Sequence, residues 1–340
     1  MDLETNQANK DEVWRLWEAL DRGTSDEAAT LLADACTNDV VFRGPAPIGD
    51  MHGVSEYITQ YLAPLKRSFP DLRRDTFIFF GGQSNGRRDG DVSLDGREWV
   101  TGTGNLVGTF AEDFLGIPAT GQQVQIRWGD FTRVENGQVA EVFFLIDLVD
   151  LLEQAGVDVL PPARGKPGMY PPPAADDGVL RGPQTAEVSA HSLDHIRRFI
   201  FDGLNAFDQD DLTSMGMADW FHPGVRWYGP GGIGACVSFS EFEDLHQAPW
   251  LVAYPDRQVQ DLDALVAEGK YSGAPGWAGV KATHTGEYLG VAATGNAVDF
   301  NGIDWWKRDG DQYVENWVFV DMIHLFDQLG VELFPFTTQT

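Results

Sequence analysis

The sequence has few cysteines, few basic residues and no long apolar run. Its two cysteines, Cys36 and Cys236, have no cysteine or histidine nearby at a spacing that binds zinc, so we expect a reduced compartment and no metal site. The 24 basic residues against 52 acidic ones leave a net charge of -28. Such a charge repels phosphate backbones and anionic membrane surfaces alike, which argues against nucleic acid and membrane as partners.

Segments that direct a chain into or across a membrane are also lacking. The start of the chain has no basic flank followed by an apolar core, and no later run of about 18 apolar residues appears. We therefore expect a cytoplasmic protein. Apolar residues make up 43% of the chain, which is enough to bury a core, and 340 residues suggest two domains.

The sequence contains the same domain twice. Residues 36–72 align without gaps with 221–257, with 11 of 37 positions identical, and residues 108–161 align with 282–335, with 16 of 54 identical. The offset falls from 185 to 174 between these blocks, so the first domain carries 11 extra residues. We place them in the glycine-rich stretch Gly81–Gly96, which is typical of a long hairpin loop.

A proline-rich segment separates the two domains. Seven prolines lie between Pro161 and Pro183, and such a segment is stiff and extended. We therefore predict a first domain at 1–158, a linker at 159–190 and a second domain at 191–335. Because Met169 and Tyr170 offer an apolar anchor, the linker is expected to dock on the surface.

Each domain is predicted to have helices first and strands later. Val13, Leu16 and Leu20 form a helical stripe, and S/T-x-x-E capping boxes at Thr24 and Ser240 mark further helix starts. Runs rich in β-branched and aromatic residues follow, which indicates an α+β domain with helices on one face of a curved antiparallel sheet.

The last strand of each domain is apolar on both faces. In the first domain, Phe143 and Leu145 alternate with Phe144 and Ile146. One face is expected to lie under the domain's own helices, and the other against the second domain. The two sheets would then pack as an intrachain pseudo-dimer, an arrangement compatible with a monomeric chain, and the oligomeric state of the whole chain stays open.

An aspartate recurs on an otherwise apolar strand face in both domains. Asp130 lies between Trp128 and Thr132, and Asp304 lies at the equivalent position beside Trp306. Such a carboxylate has either a structural partner or a raised pKa suited to proton transfer, and both interpretations stay open.

Histidine offers one further candidate, His284, whose counterpart in the first domain is Phe110. If His284 takes part in the chemistry, the two domains are not equivalent. His191 and His195 are four residues apart but have no evident third ligand, so we predict no metal, and no glycine pattern indicates a nucleotide loop.

Several strings resemble SnoaL-like polyketide cyclase domains. They are Phe114-Leu-Gly-Ile-Pro-Ala-Thr-Gly121 and Thr283-His-Thr-Gly-Glu-Tyr-Leu-Gly290, together with Phe69-Pro-Asp71 and Tyr254-Pro-Asp256. The resemblance implies the nuclear transport factor 2-like fold, a cone-shaped α+β barrel that encloses an apolar pocket. It also implies catalysis by an aspartate of the late strands, without a cofactor, through movement of a proton next to a carbonyl group.

Four acids in that stretch are candidates for this role: Asp130, Asp147, Asp304 and Asp321. Which of them matches the family acid stays open. If that acid belongs directly after the aromatic residue of the last strand, this chain lacks it, because Phe144 and Val318 occupy those positions. The pocket is expected to be lined by the following residues: Trp306, Phe300, Trp317, Tyr288, Trp128 and Phe114.

Two functions follow from this reasoning. The first is a cofactor-independent acid/base enzyme of the cyclase or isomerase type, acting on a hydrophobic carbonyl or polyketide-like compound, with epoxide hydrolysis as a weaker option. The second is a non-catalytic ligand-binding or scaffold protein that uses the same pockets. Both take a small hydrophobic molecule as partner.

Overall fold

The computed structural model describes residues 2–336, which form two α+β domains. In the first domain the helices are α1 (Leu3–Arg22), α2 (Ser25–Ala35), α3 (Val54–Tyr57), α4 (Ala63–Ser68) and α5 (Leu148–Gln154), with a π-helical segment Ile58–Leu62 between α3 and α4. Its strands are β1 (Cys36–Arg43), β2 (Asp50–His52), β3 (Arg73–Gln83), β4 (Glu98–Thr109), β5 (Gln123–Glu135) and β6 (Gln138–Ile146).

The second domain repeats this order. Its helices are α6 (Ala186–Arg197), α7 (Met217–Trp220), α8 (Phe239–Phe242), α9 (Ala248–Ala253) and α10 (Met322–Gln328), with π-helical segments Arg198–Gly203 and Glu243–Gln247. Its strands are β7 (Phe221–Tyr228), β8 (Ala235–Cys236), β9 (Gln258–Val259), β10 (Val266–Glu268), β11 (Tyr271–Thr283), β12 (Ala297–Asp309) and β13 (Gln312–Val320).

Both sheets have the same topology. The order is β2-β1-β6-β5-β4-β3 in the first sheet and β10-β11-β12-β13-β7-β8 in the second, where β9 also pairs with β11. The pairs β1–β6 and β7–β13 are parallel, and all other pairings between these strands are antiparallel. The predicted α+β class and the repeated domain are therefore confirmed.

One capping box lies where it was predicted and the other does not. Thr24 accepts a hydrogen bond from the Glu27 backbone N–H, and the Glu27 carboxylate accepts one from the Thr24 N–H. In the second domain, however, Ser238 is the N-cap and accepts from the Glu241 N–H. The prediction at Ser240 was wrong by two residues, because Ser238 is followed by a glutamate at the same spacing.

The extra residues of the first domain lie in the hairpin between β3 and β4. This loop covers residues 84–97, whereas two residues join β10 to β11 in the second domain. The predicted loop started at Gly81, but residues 81–83 continue β3 and pair with Val100, Trp99 and Glu98.

The two apolar faces of the last strands have different partners. Phe144 and Ile146 pack beneath the helices of the first domain, while Phe143 and Leu145 join a second core shared by both sheets. In that shared core, the ring centroids of Trp305 and Phe131 are 5.9 Å apart, and the Trp305 indole N–H donates to the Thr101 hydroxyl at 2.9 Å. This confirms the intrachain pseudo-dimer.

Contacts at the rim of this interface are reciprocal. Asp147 of the first domain accepts a hydrogen bond from the Gly231 N–H at 2.8 Å. Asp321, its equivalent, accepts one from the Ala46 N–H of the first domain at the same distance. Such exchange of equivalent contacts is the mark of two-fold pairing between similar subunits.

The segment between the domains lies against both of them. The Tyr170 ring is buried, and its hydroxyl forms a 2.7 Å hydrogen bond with Thr103. The Trp317 indole donates to the Pro171 carbonyl, and Lys166 pairs with Ala235 through two backbone hydrogen bonds. The last residues of the predicted linker, from Ala186 onward, belong to α6.

Candidate functional site

The second domain encloses an apolar cavity of about 190 Å³ between its helices and its sheet. Its walls come from the helical segments before β7 and after β8 and from strands β9, β11, β12 and β13. Most of the large side chains that line it are aromatic. They include Phe199, Trp227, Trp250, Tyr288, Phe300 and Trp306.

Asp304 is the acidic side chain that lines this cavity. It lies in the middle of β12, where the backbone pairs with Ala274 of β11 and Val318 of β13. The carboxylate oxygen Oδ1 is buried and has no hydrogen-bond partner. Because burial penalises the charged form, the pKa of Asp304 is raised to about 8.

The equivalent cavity of the first domain is smaller, about 60 Å³. The Arg74 side chain lines it, with its guanidinium 4.2 Å from the Trp128 ring and an ion pair to Asp21 at 3.2 Å. Asp130 accepts a 2.6 Å hydrogen bond from the Thr132 hydroxyl. Burial raises the pKa of Asp130 to about 6, against the opposing effects of Thr132 and Arg74.

Three substitutions between the domains explain this difference. Val259 is the equivalent of Arg74 by strand register. Arg74 pairs with Leu106 in the first sheet, and Val259 pairs with Val280, the residue that aligns with Leu106, in the second. Gly302 stands in place of Trp128, and Trp306 in place of Thr132.

The second domain therefore lacks both side chains that fill the first cavity. It also lacks the hydroxyl and the guanidinium that stabilise the ionised form of Asp130.

Asp147 and Asp321 line neither of these two cavities. Each caps the helix that follows it: Asp147 accepts from the Asp150 N–H, and Asp321 from the His324 N–H. Asp147 also forms a buried ion pair with Arg127 at 3.3 Å. Their carboxylates thus hold the carboxyl-terminal helices and the domain interface together.

His284 also lies away from the Asp304 cavity. It follows β11, ten residues along from Ala274, which pairs with Asp304. Its Nδ1 forms hydrogen bonds with Thr294, and its ring packs 5.3 Å from Tyr254. Burial lowers its pKa, so the ring is neutral.

The predicted pocket residues are divided between four places. Phe300, Trp306 and Tyr288 line the second cavity, and Trp128 lines the first. Phe114 packs in the first domain's core against Phe69 without lining its cavity.

Trp317 differs from the expectation more strongly. It faces the shared core between the sheets, because its neighbours Asn316 and Val318 take the cavity face of β13.

Sequence reasoning missed His246. This side chain lines the second cavity from the π-helical segment Glu243–Gln247. Its counterpart in the ungapped alignment is Tyr61, and nothing in the local pattern marked the position. No group of three or more potential metal ligands occurs within residues 2–336, and none of the described helices is long and apolar enough to cross a bilayer.

Two α+β domains, each with a cavity between its helices and its sheet, define a tandem protein with the nuclear transport factor 2-like fold. The family model for SnoaL-like polyketide cyclases matches residues 89–155 and 200–329. The chain therefore belongs to the SnoaL-like polyketide cyclase family.

Solved structures resemble one domain at a time. AclR from Streptomyces galilaeus is 24% identical, covers 42% of this chain and 82% of its own, and has a TM-score of 0.35. A SnoaL-like protein from Jannaschia sp. CCS1 is 20% identical over 45% and 92%, with a TM-score of 0.34. IdmH from Streptomyces antibioticus is 20% identical over 44% and 99%, with a TM-score of 0.34. No protein of curated function matches the chain.

Proposed function

We propose that the second domain binds a neutral, hydrophobic carbonyl compound of the polyketide type and that Asp304 moves a proton at the carbon next to the carbonyl group. The observation that carries this proposal is the buried Oδ1 of Asp304, which has no hydrogen-bond partner in an aromatic cavity. An unsatisfied buried polar atom is costly, and a ligand atom would satisfy it.

The raised pKa of Asp304 supports a role as a base. A carboxylate with a pKa of about 8 is a stronger base than an ordinary aspartate, and at pH 7 about a tenth of it is ionised. The apolar walls strengthen its electrostatic interaction with a bound molecule.

The reaction needs no cofactor. Ionised Asp304 takes the proton from the carbon next to a carbonyl group, and an enolate forms. In a cyclisation the enolate carbon attacks a second carbonyl carbon of the same molecule, and the resulting alkoxide takes the proton back from Asp304. In an isomerisation the proton returns to another carbon of the enolate system.

Deuterium exchange into 1-tetralone, a neutral bicyclic aromatic ketone, tests this proposal. The protein is expected to speed exchange of the protons next to the carbonyl in deuterated water, as followed by NMR. Asp304→Asn should abolish the acceleration, because the amide cannot act as the base. Asp130→Asn, the matched substitution in the first domain, should leave it unchanged. Exchange in the Asp304→Asn variant as fast as in the parent, or no acceleration by the parent, would exclude Asp304 as the base.

A non-catalytic ligand-binding protein is the second candidate. It is favoured by the amide side chains of the cavity, which are used internally: Asn301 Oδ1 accepts from the Ala278 N–H, and Asn316 Nδ2 donates to the Trp305 carbonyl. Binding of 1-tetralone with no exchange in the parent would select this function.

A further inference from the structure

His246 is a further polar side chain in the wall of the Asp304 cavity. Its ring stacks on Trp227, with the centroids 4.0 Å apart and the planes 19° from parallel. Phe242 and Trp250 flank it at 5.5 and 6.0 Å. These aromatic contacts hold the plane of the imidazole ring in the cavity wall.

Neither ring nitrogen of His246 forms a hydrogen bond with a side chain or backbone group of residues 2–336. Burial, with a smaller effect of the Arg257 charge, lowers its pKa to about 3. The ring is therefore neutral at physiological pH and carries one N–H donor and one acceptor nitrogen. Both are available to a molecule that contacts the ring, which lines the Asp304 cavity.

Arg257 lies behind this wall and contributes a positive charge. Its side chain is buried, with the guanidinium 4.8 Å from the Trp250 ring, and it forms no ion pair with a described acidic residue. An uncompensated cation in a poorly polarisable region favours negative charge nearby. The field at His246 therefore supports a carbonyl oxygen that gains negative charge.

We propose that the neutral imidazole of His246 donates a hydrogen bond to the carbonyl oxygen of the bound compound while Asp304 takes the proton from the adjacent carbon. This inference rests on the proposed function and adds its second catalytic group. It narrows the ligand to a neutral compound whose carbonyl oxygen faces the helices and whose acidic carbon faces β12.

The first domain lacks this arrangement. Its equivalents of His246 and Trp227 are Tyr61 and Phe42. Tyr61 packs against Phe144 at 4.6 Å in the smaller cavity. The histidine thus occurs in the domain that has the open cavity and the unpartnered aspartate.

The carbonyl stretching band of bound 1-tetralone, labelled with ¹³C at the carbonyl, tests the inference directly. A hydrogen bond from His246 should lower the frequency of this band relative to the ketone in an apolar solvent. His246→Phe keeps a ring that stacks on Trp227 but removes the donor, so the shift should be lost. It should also slow deuterium exchange by roughly 100-fold, the usual cost of removing one donor to a developing oxyanion.

Two further variants serve as controls. His246→Gln retains an N–H donor and should keep part of the band shift and part of the exchange. Tyr61→Phe, the matched change in the first domain, should alter neither. If His246→Phe fails to fold, imidazole ¹⁵N resonances of the parent give a readout without substitution, and those of His246 should move when 1-tetralone is added.

The outcomes separate this inference from the proposed function. If His246→Phe leaves the band and the exchange unchanged while Asp304→Asn abolishes exchange, the inference is overturned and the proposed function stands. If the parent gives no exchange but the band shift depends on His246, the proposed catalysis fails and the hydrogen bond stands. Absence of bound 1-tetralone counts against both.

Discussion

Equivalent aspartates of the two domains have different chemical properties because their neighbours differ. Asp130 is stabilised in its ionised form by the Thr132 hydroxyl and the Arg74 charge, whereas Asp304 has neither. Desolvation raises the pKa of both carboxylates, but neighbouring groups offset this effect only in the first domain. A single strand position thus gives one carboxylate with a pKa of about 6 and one with a pKa of about 8.

This difference predicts the pH dependence of the proposed reaction. Asp304 acts as a base only when it is ionised, and its ionised fraction falls about tenfold for each pH unit below 8. Exchange of 1-tetralone protons should therefore rise tenfold per unit from pH 6 to about 8 and then level off. His246 stays neutral over this range because its pKa is about 3.

The measurement is the NMR exchange rate between pH 6 and 9, with the rate in buffer alone subtracted. A rate that does not change between pH 6 and 9 would show that a group other than Asp304 is the base.

At the scale of elements, an interrupted strand contributes to the wider cavity of the second domain. The first domain has one continuous β3, whereas the second divides the same stretch into β9 and β10. The partner strand β11 has a register shift between Gly276 and Val280, and both residues line the cavity along with Leu262. Such irregularities bend a strand away from a regular sheet and change what its side chains enclose.

A substitution at Val259 of strand β9, which lines the second cavity, should fill that cavity. Val259→Arg would introduce the guanidinium that Arg74 supplies in the first domain. It should occupy the cavity and, by its charge, lower the pKa of Asp304. We expect at least a tenfold loss of both 1-tetralone binding and exchange, measured by calorimetry and NMR.

The reciprocal change in the first domain is Arg74→Val, which leaves the Asp304 cavity intact and should not reduce either quantity. Circular dichroism checks the fold of each variant. Unchanged binding by a folded Val259→Arg protein would place the ligand elsewhere.

At the scale of the whole molecule, each domain covers an apolar sheet face of the other. The shared core contains Trp99, Phe131 and Phe143 from the first domain and Trp305 from the second. A side chain at Gly129 would collide with the Trp305 ring, so the sheets pack closely at this point.

The first domain alone should therefore not be a stable monomer. Residues 1–160 would expose the shared core, and we expect the fragment to dimerise or aggregate, because a large exposed apolar patch drives association. Size-exclusion chromatography with light scattering measures this. A soluble monomeric fragment would contradict the importance of the interface.

Linker docking gives a second prediction at this scale. Gly165 and Lys166 form three backbone hydrogen bonds with Ile233 and Ala235. The Arg164–Gly165 bond should therefore resist trypsin under native conditions, because a protease needs an extended, unpaired substrate. Electrophoresis of a digestion time course is the check, and rapid cleavage into two halves would show that the segment is not docked.

The limits of the domains at 158 and 191 stay predictions.

Much of the architecture could be predicted from the sequence because it depends on local pattern and on repetition. The repeat predicted two similar domains, and the period-two alternation in β6 predicted that one of its faces lies under the helices and the other against the second sheet. Both signals come from neighbouring residues, and the backbone geometry of a strand converts them directly into faces. The aspartates on β5 and β12 were found in the same way.

The character of each site was decided only by the tertiary structure. Arg74 and Val259 come from strands far along the chain from Asp130 and Asp304, and no pattern along one strand reports them. His246 reaches the cavity from a helix, and Trp317 faces the domain interface although its strand also borders the cavity. The volume of a cavity and the pKa of a buried acid depend on side chains from several separate elements. Only the folded chain brings these side chains together, so the sequence by itself determined two similar domains, and packing gave one of them a larger cavity with an unpartnered aspartate oxygen.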